Sequence, residues 1–273
     1  MNPEMNATSG GGAEQPPWLA PIVPMLLQQT RAEFLKLWRV PAFSIFSLAF
    51  PLVFYLFFGL PNAGYTVTGT GVHYGAYLLV SFGAYGAVSV MLFSFGLAVA
   101  NERGQRMHVL LRATPLRPMV DLLARIITAL AFALAMLVLL YLFGIAAGGV
   151  RLPAGTWINV TLTLLLGATP FIAAGFAIGY AVSPNAAPAV VNLTYIPLSF
   201  ASGLLVPLSQ LPSFIRAIAP YLPTYHYAQL AWNAVGVPAA NLQASILWIV
   251  AYGVGFIVLA LLAYRREANL QFS

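Results

Sequence analysis

The chain has 273 residues, of which 60% are hydrophobic and only 7% charged, with a formal net charge of +6. A soluble domain carries roughly 25% charged residues, so this composition excludes a water-soluble protein and describes one integral membrane domain. Cysteine is absent, which removes disulfides, thiolate metal sites and cysteine nucleophiles together.

Met1 to Pro17 is rich in Gly and Pro, carries Glu4 and Glu14, and has no basic residue. It lacks the positive start and apolar core of a secretory signal. Residues 1–24 are expected to form a disordered cytoplasmic tail, and residues 25–273 a single membrane domain. From Met25 to Arg39 the pattern is helical. Leu26, Leu27, Thr30, Phe34, Leu37 and Trp38 share one face at 100° per residue, and Gln28, Gln29, Glu33, Lys36 and Arg39 share the other. Such a helix would lie in the interface, its basic residues toward anionic lipid; the alternative is an extension of the first span, which Pro41 disfavours.

A spanning helix needs about 20 mostly apolar residues. Six stretches qualify: Pro41 to Leu60, Tyr74 to Ala100, Leu123 to Gly148, Thr156 to Val182, Ala186 to Leu208, and Ile246 to Tyr264. The fourth and fifth are separated only by Ser183-Pro184-Asn185, a turn that Pro enforces by blocking helix continuation. Between Pro207 and Ser245 lies a segment whose one charge is Arg216; its apolar Leu211–Pro220 run is too short to span and reads as half of a re-entrant or interfacial helix pair broken at Pro220 and Pro223. The expected fold is therefore all-α: six transmembrane helices, an N-terminal interfacial helix, and an external re-entrant segment before the last span.

Basic residues set the orientation. Arg31, Lys36 and Arg39, then Arg103, Arg106, Arg112, Arg117 and Arg125, then Arg265 and Arg266 fall on one side, against Arg151 and Arg216 on the other. Both termini are thus expected in the cytoplasm. The positive balance is a topology signal rather than a nucleic-acid surface.

Several chemistries are missing. No Gly-x-x-x-x-Gly-Lys-Ser/Thr pattern occurs, and Lys36 is the single lysine, so the chain has no phosphate-cradling loop of that kind. His73, His108 and His226 lie on different loops without ligand spacing, and no metal site is expected. Phe200-Ala-Ser-Gly203 resembles part of a Gly-x-Ser-Gly nucleophile motif with His226 as its base, but the leading Gly is missing and Ser-Gly equally serves close helix contact. Glu4, Glu14, Glu33, Glu102, Asp121 and Glu267 all lie in tails or at membrane edges. Ion-coupled carriers usually need an intramembrane carboxylate, so any transport must draw its energy elsewhere.

The densest charge lies between Glu102 and Arg125. This stretch reads as a topogenic loop or as a docking element: a short helix from Glu102 to Arg112, stopped at Thr114-Pro115, presenting Arg103, Arg106 and Arg112 to cytosol or a partner. Here the chain resembles the type-2 ABC transporter permeases, the membrane subunits of ATP-driven exporters. Their loop pattern, roughly Glu-Arg-Glu-x-Gly-Thr-Leu-Glu-x-Leu-x-x-Thr-Pro-Leu, is met at Glu102, Arg103, Leu111, Thr114, Pro115 and Leu116, with Arg125 at the later basic position. Ser202-Gly203, Pro207, Leu211-Pro212, Pro220 and Pro223 match a second family region. Departures are Gly104 for the second acidic residue, Arg106 for the usual Gly, and Val109 for another acidic residue.

The resemblance implies a transport subunit rather than an enzyme, in a bacterial inner membrane, pairing with a second permease copy or paralogue. A separate nucleotide-binding ATPase subunit would bind ATP and Mg, leaving this chain without a cofactor. Glu102, Arg103, Arg106, Arg112, Thr114 and Pro115 would couple to that ATPase. The second and fifth spans would line the path, with Tyr85, Asn192, Thr194 and Tyr195 as candidate pathway residues and an amphiphile (a drug, lipid or glycan-lipid) as cargo. The small residues of the second span, including Ser81, Gly83, Gly86 and Gly96, serve helix approach there or ordinary intramolecular packing. Rival readings are a stand-alone carrier or channel, or a membrane enzyme using His226 and Tyr227.

Overall fold

The computed structural model describes residues 22–39, 41–105 and 117–270. Among them the protein is helical, with one isolated bridge between Thr66 and His73 and no strand beyond it. The helices are α1 (Ile22–Trp38), α2 (Pro41–Phe54), α3 (Tyr74–Gly104), α4 (Pro118–Ala146), α5 (Ala154–Ala168), α6 (Pro170–Ala181), α7 (Ala187–Ala201), α8 (Ser213–Ile218), α9 (Pro223–Ala234) and α10 (Leu242–Leu270). A π-helical turn, Tyr55–Gly59, extends α2.

Among the described residues four helices are long and apolar enough to cross a membrane: Tyr74–Gly104, Met119–Ala146, Ala154–Ala181 and Leu242–Glu267. Leu48–Gly59 and Ala187–Ala201 are shorter apolar helices. The third of the long spans is α5 and α6 joined through a kink at Pro170. Proline has no N–H to offer the carbonyl four residues back, and here the Thr169 hydroxyl donates to that carbonyl, Leu166 O, at 2.7 Å. The run therefore bends without losing the bond.

The fifth expected stretch does not reach Leu208: α7 stops at Ala201. Ser202 and Gly203 end it, because Gly203 takes φ +87°, where a Cβ would also meet Leu208 at 2.8 Å. Only glycine adopts that backbone without strain. Beyond it the expected helix pair is present as α8, a 3-10 turn at Ala219–Tyr221, and α9, divided at Pro220 and Pro223.

α3 is the axis of the molecule. Apart from its ends it is buried along its length, wrapped by α2, α4, α5, α6, α7 and α9. The second span therefore faces other parts of its own chain, and its small residues serve that packing. A Cβ on Gly96 would lie 3.4 Å from the carbonyl of Gly175, and one on Gly179 would lie 2.8 Å from Val99 Cβ and 2.9 Å from the Gly96 carbonyl. Backbones that close need glycine on both helices. Gly86 makes room for Met136 and Pro51 in the same way. By contrast, α10 carries Leu247, Val250, Val254 and Ile257 on its exposed surface, an apolar face suited to lipid or another chain.

The α3–α6 crossing predicts that Gly179→Leu lowers the thermal unfolding midpoint of the purified protein, by overpacking of about 1–3 kcal/mol. Gly255→Leu on α10, where a Cβ meets nothing within 4 Å, leaves it near the parent value.

Candidate functional site: an ion-pair cluster at the end of α3

At its C-terminal end α3 presents two adjacent charges, and the helical rotation between neighbours sends them to different helices. The Glu102 carboxylate accepts from Lys36 Nζ of α1 at 2.5 Å, and from Arg125 Nη1 of α4 at 2.9 Å to each of its oxygens. Arg125 also donates from Nε to Asp121 at 2.9 Å, and Asp121 accepts from the Gln29 amide of α1 at 2.7 Å. Glu33 sits 3.4 Å from Lys36. The Arg125 and Glu102 side chains are 11% and 15% exposed, so the pair is largely shielded from water and its attraction is little screened.

Arg103 turns the other way. Its Nη1 donates to the carbonyls of Gly179 (2.7 Å) and Val182 (3.1 Å), and its Nη2 to Glu267 of α10 at 2.5 Å. Its guanidinium also lies over the Tyr180 ring, 5.9 Å from the centroid. Those carbonyls are the unpaired acceptors that end α6, where a cation is favoured by the helix dipole. Two consecutive residues thus tie α3 to α1 and α4 on one side and to α6 and α10 on the other.

Several sequence expectations change here. Arg103, expected to face cytosol or a partner, is engaged by Glu267 and by the carbonyls that end α6. Glu102 begins no separate helix, because α3 runs unbroken through Gly104. Arg106, Arg112, Thr114, Pro115 and His108 lie outside the described residues, as do residues 1–21 of the N-terminal tail. On α1, part of the expected polar face is turned into the protein: Glu33 is 9% exposed, whereas Leu27 and Trp38, expected on the apolar face, are 66% and 57% exposed. Glu33 pairs with Lys36 on the same helix and Lys36 reaches Glu102 of α3, while the exposed apolar residues keep the side suited to lipid.

The departure at Gly104 also acquires a cause. A Cβ there would sit 2.5 Å from Pro184 Cγ, in the turn between α6 and α7. The acidic side chain of the family pattern has no room at this position.

Of the candidate pathway residues, Tyr85 and Tyr195 meet, and Asn192 and Thr194 stand apart from them. Tyr195 is 1% exposed, donates its hydroxyl to the Tyr85 carbonyl, and stacks on the Tyr85 ring at 4.9 Å. Asn192 and Thr194 lie on the exposed side of α7, with the Asn192 amide donating to the Pro188 carbonyl at 2.9 Å. Nor do Ser202 and His226 form a nucleophile and base. Ser202 donates to the Ser199 carbonyl, while His226 Nε2 lies 2.8 Å from the Pro220 carbonyl, its Nδ1 3.3 Å from Ser245 Oγ, and its ring stacks on Trp248. Since a carbonyl only accepts, Nε2 carries the proton, and burial pushes the His226 pKa below its ordinary value. This histidine braces the α9–α10 contact. Tyr227 is likewise structural, donating to the Leu164 carbonyl at 2.8 Å. Among the described residues no group of three or more metal-ligating side chains occurs.

Comparison with known proteins decides what this architecture belongs to. Residues 62–262 match the family model described as ABC-2 family transporter protein. The chain belongs to the ABC-2 transporter family. A protein of Bacillus subtilis (strain 168) named as a transport permease, YvfS, is 28% identical over 245 residues, covering 89% of this chain and 98% of that one. An ABC-2 chain of this kind is a multi-pass membrane transport subunit and not an enzyme; ATP hydrolysis belongs to a partner subunit, and permeases of the family generally work with a nucleotide-binding ATPase. The ion-pair cluster therefore sits where the 106–116 segment of an ABC-2 permease begins.

Two measurements test this geometry. A double-mutant cycle of Arg103→Ala and Glu267→Ala should return a coupling free energy of about 0.5–3 kcal/mol in unfolding of the purified chain; additive effects would mean that the pair does not hold. Gly104→Glu, which brings in the family's acidic residue, should lower the unfolding midpoint, and Pro184→Ala in the same chain should recover part of the loss.

Proposed function

We propose that this chain is the permease subunit of an ATP-driven exporter in a bacterial inner membrane. Six spans with both termini cytoplasmic would be formed by α2 with its π turn, α3, α4, α5 with α6, α7 continued by the segment after Gly203, and α10; α8 and α9 would be the external re-entrant pair. Two copies, or this chain and a paralogue, would enclose the path, and each would engage one ATPase subunit that binds ATP and Mg. The cargo would be an amphiphile.

The observation that carries the coupling part is the convergence of α1, α3, α4, α6 and α10 on Glu102 and Arg103, next to the segment holding Arg106, Arg112, Thr114 and Pro115. A lever needs a stiff base with different contacts in the two nucleotide states. Docking of the 106–116 segment in the ATPase would pull on α3, and the ion pairs would pass that pull to four neighbouring helices. Glu102 and Arg103 would act as positioning residues, Arg106 and Arg112 as direct contacts. The paired state of Glu33, Glu102, Asp121 and Glu267 favours this reading over a self-powered carrier, since none of these carboxylates is held ready for a coupling ion.

In vesicles containing the chain and its ATPase, Arg106→Ala with Arg112→Ala should cut export at least about tenfold, a loss of about 1.4 kcal/mol of coupling, with insertion unchanged. Glu102→Gln should reduce cargo-stimulated ATP hydrolysis while the complex still assembles. The purified permease alone should hydrolyse no ATP. Full export by the double variant would remove the loop from the mechanism, and turnover by the isolated chain would remove the subunit assignment.

A further inference from the structure

At the end of α3 opposite the ion-pair cluster lies a cavity of about 420 Å³ between the α2–α3 connection and the segment after Gly203. Its lining carries no charge: Phe58, Tyr65 and Tyr74 supply aromatic rings, and Asn62, Ser209 and Gln210 supply amide and hydroxyl groups. Among the described residues nothing hydrogen-bonds the side chains of Ser209, Gln210 or Tyr65, and Tyr65 is 67% exposed. The size falls within the range of about 300–1,000 Å³ typical of small-molecule sites.

The walls are built rather than loose. The 60–73 connection is closed by Val67 N to Val72 O and Tyr74 N to Tyr65 O, both 2.8 Å, and the Asn62 amide donates to the Phe58 carbonyl at 2.8 Å, which leaves its oxygen free to accept. Facing it, Leu204 and Leu205 are buried at 0% and 4% exposure and anchor the opposite wall. On the turns that lead into Phe58, Val53, Leu56 and Phe57 are exposed apolar residues of α2 and its π turn.

We propose that this cavity binds the neutral, hydroxyl-rich headgroup of an amphiphile, a glycoside whose tail lies along Val53, Leu56 and Phe57. Ring faces pack on the apolar C–H faces of a sugar, and amides and hydroxyls exchange hydrogen bonds with its hydroxyls. A charged headgroup would find no counter-charge among these residues and would leave its own charge poorly solvated. Binding stands on the cavity alone; the identification of the ligand as cargo rests on the exporter reading above.

The full chain in phospholipid nanodiscs free of sugar detergents is titrated with three probes: an alkyl maltoside below its micellar concentration, free maltose, and a zwitterionic amphiphile of equal chain length. The alkyl maltoside should bind saturably, maltose should compete with it, and the zwitterion should not. Tyr65→Ala with Gln210→Ala should weaken binding about tenfold or more, that is, by about 1.4 kcal/mol, with the unfolding midpoint unchanged. Gln210→Glu, which is less able to disturb packing, should weaken it as well. Equal binding of maltoside and zwitterion, or absence of maltose competition, would overturn the headgroup site; maltose binding as tightly as the alkyl maltoside would remove the tail and leave a free saccharide as ligand, which also overturns it as stated. With the ATPase present, maltoside binding that leaves ATP hydrolysis unchanged would support the cavity and count against the exporter reading, so the two failures are distinguishable.

Discussion

The carboxylate of Glu102 is the interaction on which the rest of the architecture leans. In a chain so poor in charge, an anion at a membrane edge must be paired, because leaving it uncompensated in a shielded site costs several kcal/mol. Glu102 meets Lys36 from α1 and Arg125 from α4, and the neighbouring Arg103 meets α6 and α10. The helix that carries both is also the one wrapped by nearly every other element. Charge at the tip and close packing along the shaft make α3 the member through which the remaining helices are held in register.

The two kinds of contact do different things. Along the shaft, glycines on α3 and α6 let backbones approach to van der Waals distance, which gives stiffness without direction. At the tip, charge-assisted hydrogen bonds are directional and specific in partner. A pull on the tip is therefore shared among named helices rather than absorbed as local fraying. The opposite end of α3 is different in chemistry, with an uncharged polar cavity bounded by tyrosines and amides. One long helix joins a charged end to a ligand-sized recess.

Much of the fold was legible because membrane length is a strict requirement. The expected spans beginning at Tyr74 and Leu123 match helices whose bounds differ by a few residues, and Pro41 and Tyr74 open their helices as expected. Pro170 and Gly203 were less legible: a kink rescued by the Thr169 hydroxyl and a stop set by positive φ are local backbone events hidden inside apolar runs. Glu102 and Arg103 stood out from charge density alone. Their partners did not, since Lys36, Arg125 and Glu267 lie 66, 23 and 164 residues away from them. The burial of Glu33 on α1 was hidden for the same reason: a polar residue reads as solvent-facing until its partner Lys36 is seen to reach Glu102 of α3. The placing of Glu33, Glu102, Asp121 and Glu267 at the same membrane edge as most of the basic residues was the available signal.

The absence of cysteine makes the central claim directly measurable, because labels can be placed without background. Arg39 and Arg265, both exposed and near the C-terminal ends of α1 and α10, can be replaced by cysteine and spin-labelled in the permease assembled with its ATPase in vesicles. Their separation within one copy should stay the same between nucleotide-free and nucleotide-trapped states, as expected if the helices gathered on Glu102 and Arg103 move as one body. A change of several ångströms between those states, with export intact, would contradict the account.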